Sequence, residues 1–107
     1  HSHVQNLASW TASEMRKIPG IRIYGNPEDR EGSGAVSFLH DSIQSLDLAL
    51  FLDEGGFAVR TGHHCAQPLM DALNVPSTNR ISFWVYNTMD EAKMFVEYLN
   101  YIVERFS

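Results

Sequence analysis

A chain of 107 residues with 44% hydrophobic and 11% aromatic content has the length and composition of one compact domain, able to bury about 65% of its unfolded surface. Its formal net charge is −5, with the acidic residues scattered and no block of lysine or arginine, which excludes the basic footprint of a nucleic-acid binder and a polybasic membrane patch. One cysteine excludes an intrachain disulfide framework, and neither a signal peptide nor an apolar run of the ~20 residues a spanning helix needs is read, so a reducing cytoplasm is the expected compartment.

Taken in chain order, Val4, Leu7, Ala8, Met15 and Ile18 fall on one helical face, predicting a helix over 4–17 that Pro19-Gly20 stops. Ile21-Arg22-Ile23-Tyr24 alternates and is rich in β-formers, so a strand over 21–24 is expected before a turn at 25–27 and an exposed loop over 28–34. A second strand is predicted over 35–40, carrying Val36, Phe38 and Leu39. Ser45 has the chemistry of an N-cap for a helix over 46–54, apolar nearly all round and therefore expected to be buried, with Gly55-Gly56 as its stop.

A brief strand over 57–60 then leads into Arg60-Thr61-Gly62-His63-His64-Cys65-Ala66-Gln67-Pro68-Leu69-Met70. Pro68 suits the first turn of a short helix over 68–73. The pattern over 80–86 sets Ile81, Phe83 and Val85 against Ser82, Trp84 and Tyr86, a strand with two different faces. Thr88 and Glu91 have capping-box spacing, and Ala92, Phe95, Val96, Leu99, Ile102, Val103 and Phe106 follow at helical intervals, a stripe that reads as core packing. No repeat, low-complexity tract or linker interrupts the chain. The fold class expected is α/β (α+β): one domain over 1–107, a small sheet of three to four strands packed by helices.

The chemistry concentrates at Cys65. A thiol becomes a nucleophile as its thiolate, which a guanidinium, imidazoles and free N–H groups at a helix start all favour; Arg60, His63, His64 and the Pro68 helix start are the neighbours that could supply them. Two other readings of the same residues stand beside this one. A free cysteine is often a small buried hydrophobe, and a zinc site would draw on His40, His1 or His3 for further ligands, although structural zinc wants about four at set spacing. No metal is expected.

The block over 60–70, with Asn79-Arg80-Ile81-Ser82-Phe83 and Tyr86-Asn87-Thr88 after it, resembles the C-terminal small domain of the SufS-type cysteine desulfurases and selenocysteine lyases, a class V aminotransferase-fold family. The opening Ile18-Pro19-Gly20-Ile21-Arg22-Ile23-Tyr24-Gly25 resembles the start of that domain, so the likeness runs across nearly the whole chain. It implies a transferase of sulfur metabolism, feeding iron–sulfur cluster assembly, in which pyridoxal phosphate activates L-cysteine and a loop cysteine takes its sulfur as a persulfide, leaving L-alanine. By resemblance Cys65 is the catalytic nucleophile and Arg80 binds the substrate carboxylate. Arg60, His63 and His64 match the loop only by position and are assigned to tuning or positioning the thiol, with Asn87 and Thr88 as turn and helix cap.

Two departures from the family pattern matter. Ile81 stands where a small residue is common after the arginine. The cofactor lysine, which the family carries in a large N-terminal domain with the phosphate contacts, has no counterpart here: Lys17 and Lys93 both sit on predicted amphipathic helices. The expectation is therefore an excised part of a longer enzyme, inactive alone and holding no pyridoxal phosphate by itself. The resemblance further implies L-cysteine or L-selenocysteine as substrate, a sulfur-acceptor protein and a homodimer in the full-length enzyme. The alternatives are a freestanding persulfide carrier and a non-catalytic interaction domain. An exposed apolar face would favour the first reading, a self-contained polar surface the carrier, and a cysteine inert to alkylation the interaction module.

Overall fold

Apolar side chains spaced at 3.6 residues in the helices and at two in the strands must share one interior, and they do so in two layers. The computed structural model describes residues 2–24, 34–62, 77–83 and 87–107. In these the order is α1 (Ser2–Met15), β1 (Ile21–Tyr24), β2 (Ala35–His40), α2 (Ser45–Glu54), β3 (Arg60–Gly62), β4 (Thr78–Ser82) and α3 (Met89–Phe106). The four strands form one antiparallel sheet in the order β1-β2-β4-β3. This is the small α/β sheet expected from the pattern. The turn at 25–27, most of the loop over 28–34, the helix over 68–73 and positions 84–86 lie outside the described residues.

The helices cover one face of the sheet. Leu7, Ala8, Ala12 and Met15 of α1, Leu48 and Leu52 of α2, and Ala92, Phe95, Leu99 and Ile102 of α3 meet Val36, Phe38, Ile81 and Phe83 in a single buried cluster. At its centre the Phe38 and Phe95 rings meet edge to face at 6.1 Å, and Phe57 meets Phe95 in the same way at 5.6 Å, a geometry favoured by the ring quadrupoles.

The ends of the helices follow local chemistry. The Thr88 hydroxyl accepts from the Glu91 N–H while the Glu91 carboxylate accepts from the Thr88 N–H, completing the predicted capping box. At the far end of α2, the N–H of Gly56 bonds to the Asp53 carbonyl and that of Phe57 to the Leu52 carbonyl. That is a Schellman arrangement, with Gly56 in the left-handed conformation at φ +90°. It turns Phe57 inward against Phe95.

Four expectations need correction. Gln44, extended at φ −61° and ψ 145°, is the N-cap of α2 without a side-chain cap bond; Ser45 is the first helical residue, and its hydroxyl donates to the Ser77 carbonyl instead. Helix α2 is not buried all round. Leu48 and Leu52 are inside, but Leu46 and Leu50 are 62% and 57% exposed, because the sheet is only one layer thick and covers one side of the helix. The strand expected over 57–60 forms at 60–62, since the Schellman turn sends Phe57 into the core before the chain reaches the edge of β4. Strand β4 starts two residues earlier than expected, at Thr78, where pairing with Gly62 begins, and among the described residues it ends at Ser82.

His40 is a structural hub. Its Nε2 donates to the Pro19 carbonyl at 3.0 Å, and Nδ1 accepts from the N–H groups of Ser42 at 3.0 Å and Ile43 at 3.3 Å. A carbonyl can only accept and an N–H can only donate, so the tautomer follows from the partners. Both nitrogens are engaged, which removes His40 as a metal ligand. Gly20, at φ +85°, lets the chain pass so close that a Cβ there would lie 2.4 Å from His40 Nε2.

Two stability tests follow. Gly20→Ala combines a disfavoured backbone conformation with that clash and is expected to destabilise the fold by roughly 1–3 kcal/mol, read from thermal unfolding; an unchanged midpoint would disprove the close-approach account. The Glu91 carboxyl is held below its ordinary value of 4.5, first by the Thr88 backbone N–H and next by the Asn87 side chain. A carboxyl lowered in the folded state stabilises above its unfolded value and loses that contribution as the pH falls through the folded one. The midpoint difference between the parent chain and Glu91→Ala should therefore be widest above about pH 5 and close as the pH drops below 4.5; a pH-independent gap would contradict it.

Candidate functional site

Because side chains alternate across a strand, the register divides the sheet into two unlike rows. Ile23, Phe38, Asn79 and Thr61 are successive cross-strand partners and share the face under the helices. One residue along, Tyr24, Ser37, Arg80 and Arg60 form a row across the opposite face.

Arg80 occupies the middle of that second row, half-buried. Its Nε is sealed from solvent and has no hydrogen-bond partner among the described residues. A buried guanidinium N–H without an acceptor is costly, and Arg60 stands directly across from it, where like charges oppose pairing. Two guanidiniums side by side, one with an unanswered donor, suit a carboxylate or another oxyanion.

On the helix face the same strand carries a polar tie. Asn79 is fully buried; its Oδ1 accepts from the Thr61 hydroxyl at 2.6 Å and its Nδ2 donates to the Ser45 carbonyl at 3.0 Å. The Ser45 hydroxyl in turn donates to the Ser77 carbonyl, and the Thr78 hydroxyl donates to the Gly62 carbonyl at 3.4 Å. The start of α2, the end of β3 and the start of β4 are thereby joined. Of these four side chains only Ser45 was singled out from the sequence, and there as a helix cap. The available signal was Asn79 itself, a poor strand former opening a strand otherwise suited to one.

Of the residues singled out, Arg60 and Arg80 are brought together. Cys65, His63 and His64 lie outside the described residues; Gly62, the last residue of β3, immediately precedes His63. Among the described residues no group of three or more His, Cys, Asp or Glu could hold a metal, and no helix is long and apolar enough to cross a membrane. Thr88 is the helix cap, as expected. Asn87 supplies an amide to Glu91 and a carbonyl that accepts from His3 Nε2 at 2.6 Å, a role for His3 that the sequence did not suggest. Lys17 is exposed and ion-paired with Glu14 at 3.0 Å, and Lys93 is exposed on α3. Neither has the burial that a cofactor-bearing lysine needs, so these residues do not fit a pyridoxal phosphate site.

Comparison with known proteins gives a consistent result. Residues 1–95 match the aminotransferase class-V family. Over all 107 residues the chain is 43% identical to a probable cysteine desulfurase of Staphylococcus aureus strain COL, of which it covers 26%. Among solved structures it resembles the apo cysteine desulfurase of Thermococcus onnurineus NA1, with a TM-score of 0.85 and 30% identity over 98% of this chain and 26% of that one. The cysteine desulfurase CsdA of Escherichia coli gives 0.83 and 30% over 99% and 26%. The chain thus spans about a quarter of the length of the curated relatives it matches.

Proposed function

The chain belongs to the aminotransferase class-V family, and we propose from this that it is the C-terminal, nucleophile-bearing domain of a cysteine desulfurase, in which Cys65 receives sulfur from L-cysteine. The observation that carries the reading is Arg80: a half-buried guanidinium beside Arg60 whose Nε has no partner among the described residues, in a chain whose full length aligns with probable cysteine desulfurases. Pyridoxal phosphate, bound by residues outside 1–107, would supply the electron sink that weakens the substrate's C–S bond.

What this chain contributes is binding and a nucleophile. Arg80 receives the substrate carboxylate through its planar pair of donors, and Arg60 strengthens the local positive field. In the net reaction the Cys65 sulfur forms an S–S bond to the substrate sulfur as the substrate's C–S bond breaks. The products are the Cys65 persulfide and L-alanine, with the thiol proton accounted for on the alanine carbon. His63 and His64 are assigned to tuning the thiol. A selenium substrate has the same carboxylate and amine and would be held in the same way. A sulfur-acceptor protein, a homodimeric assembly and a cytoplasmic setting complete the proposal.

The exposed Leu46, Leu50, Met94, Tyr101 and Phe106 support a domain that packs against further protein, in preference to a freestanding persulfide carrier with a self-contained polar surface.

In the complete enzyme, Cys65→Ala should abolish alanine release while leaving the cofactor's absorbance in place, and turnover at the parent rate would refute the nucleophile assignment. Arg80→Ala should raise KM for L-cysteine by roughly 10- to 100-fold, the size expected for a lost charged hydrogen bond. For the chain of 107 residues alone, pyridoxal phosphate should wash out completely. A borohydride-trapped adduct on Lys17 or Lys93 would overturn that expectation.

A further inference from the structure

Asn79 does more than fill the core. We propose that it is a positioning residue, clamping the edge strand β3 to β4 and both to the first turn of α2, and so fixing the two points between which the chain carries Cys65. The inference rests on the reading of Cys65 as the nucleophile and goes beyond it by naming what holds the ends of its segment.

Strand β3 is three residues long and pairs on one side only. Such a strand has little to hold it, because short edge pairings are marginal without side-chain support. The support comes from the buried amide. The Ser45 carbonyl can only accept, so the Asn79 nitrogen faces it and the oxygen is left for the Thr61 hydroxyl. With Ser45 also bonded to Ser77, and Thr78 to Gly62, the residues on both sides of 63–76 are fixed to one point. Asn79 is fully buried with both ends of its amide answered, which holds it in one orientation, and removing the Thr61 hydroxyl leaves its buried oxygen unpaired.

Strand β4 does not depend on this tie. It is held to β2 through four register pairs, Ser37 with Arg80 among them. Cutting the tie therefore releases β3 and leaves Arg80 in place, which separates the two kinetic consequences. Binding through Arg80 survives; the approach of Cys65 to the substrate sulfur does not.

The experiment is a mutant cycle in the full-length, cofactor-loaded enzyme, with kcat and KM for L-cysteine read from alanine release and with melting temperature recorded alongside. Asn79→Ala and Thr61→Val are each expected to lower kcat by about 10-fold or more, as misplacement of a reacting group does, with KM changed by less than about 3-fold. The double variant should be no slower than the slower single, because both changes cut the same tie. Thr61→Ser, which keeps the hydroxyl, should restore kcat to within about 2-fold of the parent. A lowered melting temperature with unchanged kcat in Thr61→Val, or losses that multiply in the double variant, would overturn the proposal. If Asn79→Ala does not fold, the contrast between Thr61→Val and Thr61→Ser decides it. Cys65→Ala run in parallel separates the two claims: activity there removes the nucleophile reading and this inference with it, whereas an inactive Cys65→Ala beside an unaffected Thr61→Val removes the positioning role alone.

Discussion

A slip of one residue between β2 and β4 would turn Arg80 into the core and send Asn79 and Ile81 to the opposite face. Side chains alternate with a period of two, so register decides which half of each strand is dry. Here it is held by Val36 opposite Ile81 and Phe38 opposite Asn79, all four packed under the helices, with Phe95 of α3 seated on Phe38. Burying large apolar side chains contributes about 1.5–3 kcal/mol each, and a slipped register would forfeit several of these at once while burying a guanidinium. The position of the arginine row is thus a consequence of core packing on the other side of the sheet.

The same argument explains why a polar residue is tolerated in the middle of that core. Asn79 is opposite Phe38 and without partners would cost several kcal/mol to bury. Each end of its amide meets a group that answers it: the hydroxyl of Thr61 on the exposed edge strand β3, and the Ser45 carbonyl at the start of α2. The network ties the first residue of α2 to β4 and to Ser77 without accepting from a free N–H of the first turn, so α2 stays without a side-chain cap. Local capping has been given up for a longer-range connection between three elements.

Most of the fold was legible because it is written in short-range signals. The alternation in Ile21-Arg22-Ile23-Tyr24 and Ala35-Val36-Ser37-Phe38-Leu39-His40, the Thr88–Glu91 spacing and the apolar stripe of α3 each report on residues within one or two turns, and these elements were found at or near the expected bounds. The misreadings share a different cause. Whether Ser45 caps its own helix depends on Ser77, 32 positions away; whether 57–60 pairs depends on where β4 begins; whether Leu46 is buried depends on how many layers the domain has. At the candidate site, Arg60 and Arg80 were legible as motif residues, but their meeting across one ladder position is a property of register, and the Asn79 tie is a property of three chain segments that no local window contains.

The surface bears on what the domain needs around it. Leu46 and Leu50 lie one turn apart on α2, Met94 and Tyr101 seven apart on α3, and Phe106 is half exposed although its ring stacks on Phe51 at 4.2 Å. Single exposed apolar residues are ordinary, but repeated ones at helical spacing form stripes. The intervals match those that bury a helix against a neighbour, and the domain's own core already uses the other faces of both helices: Leu48 and Leu52 on one, Ala92, Phe95 and Leu99 on the other. A helix apolar on both sides is the pattern of an inner layer. The arginine row faces away from the three described helices, so a partner covering these stripes would pack over the helical layer, on the side of the sheet opposite the row.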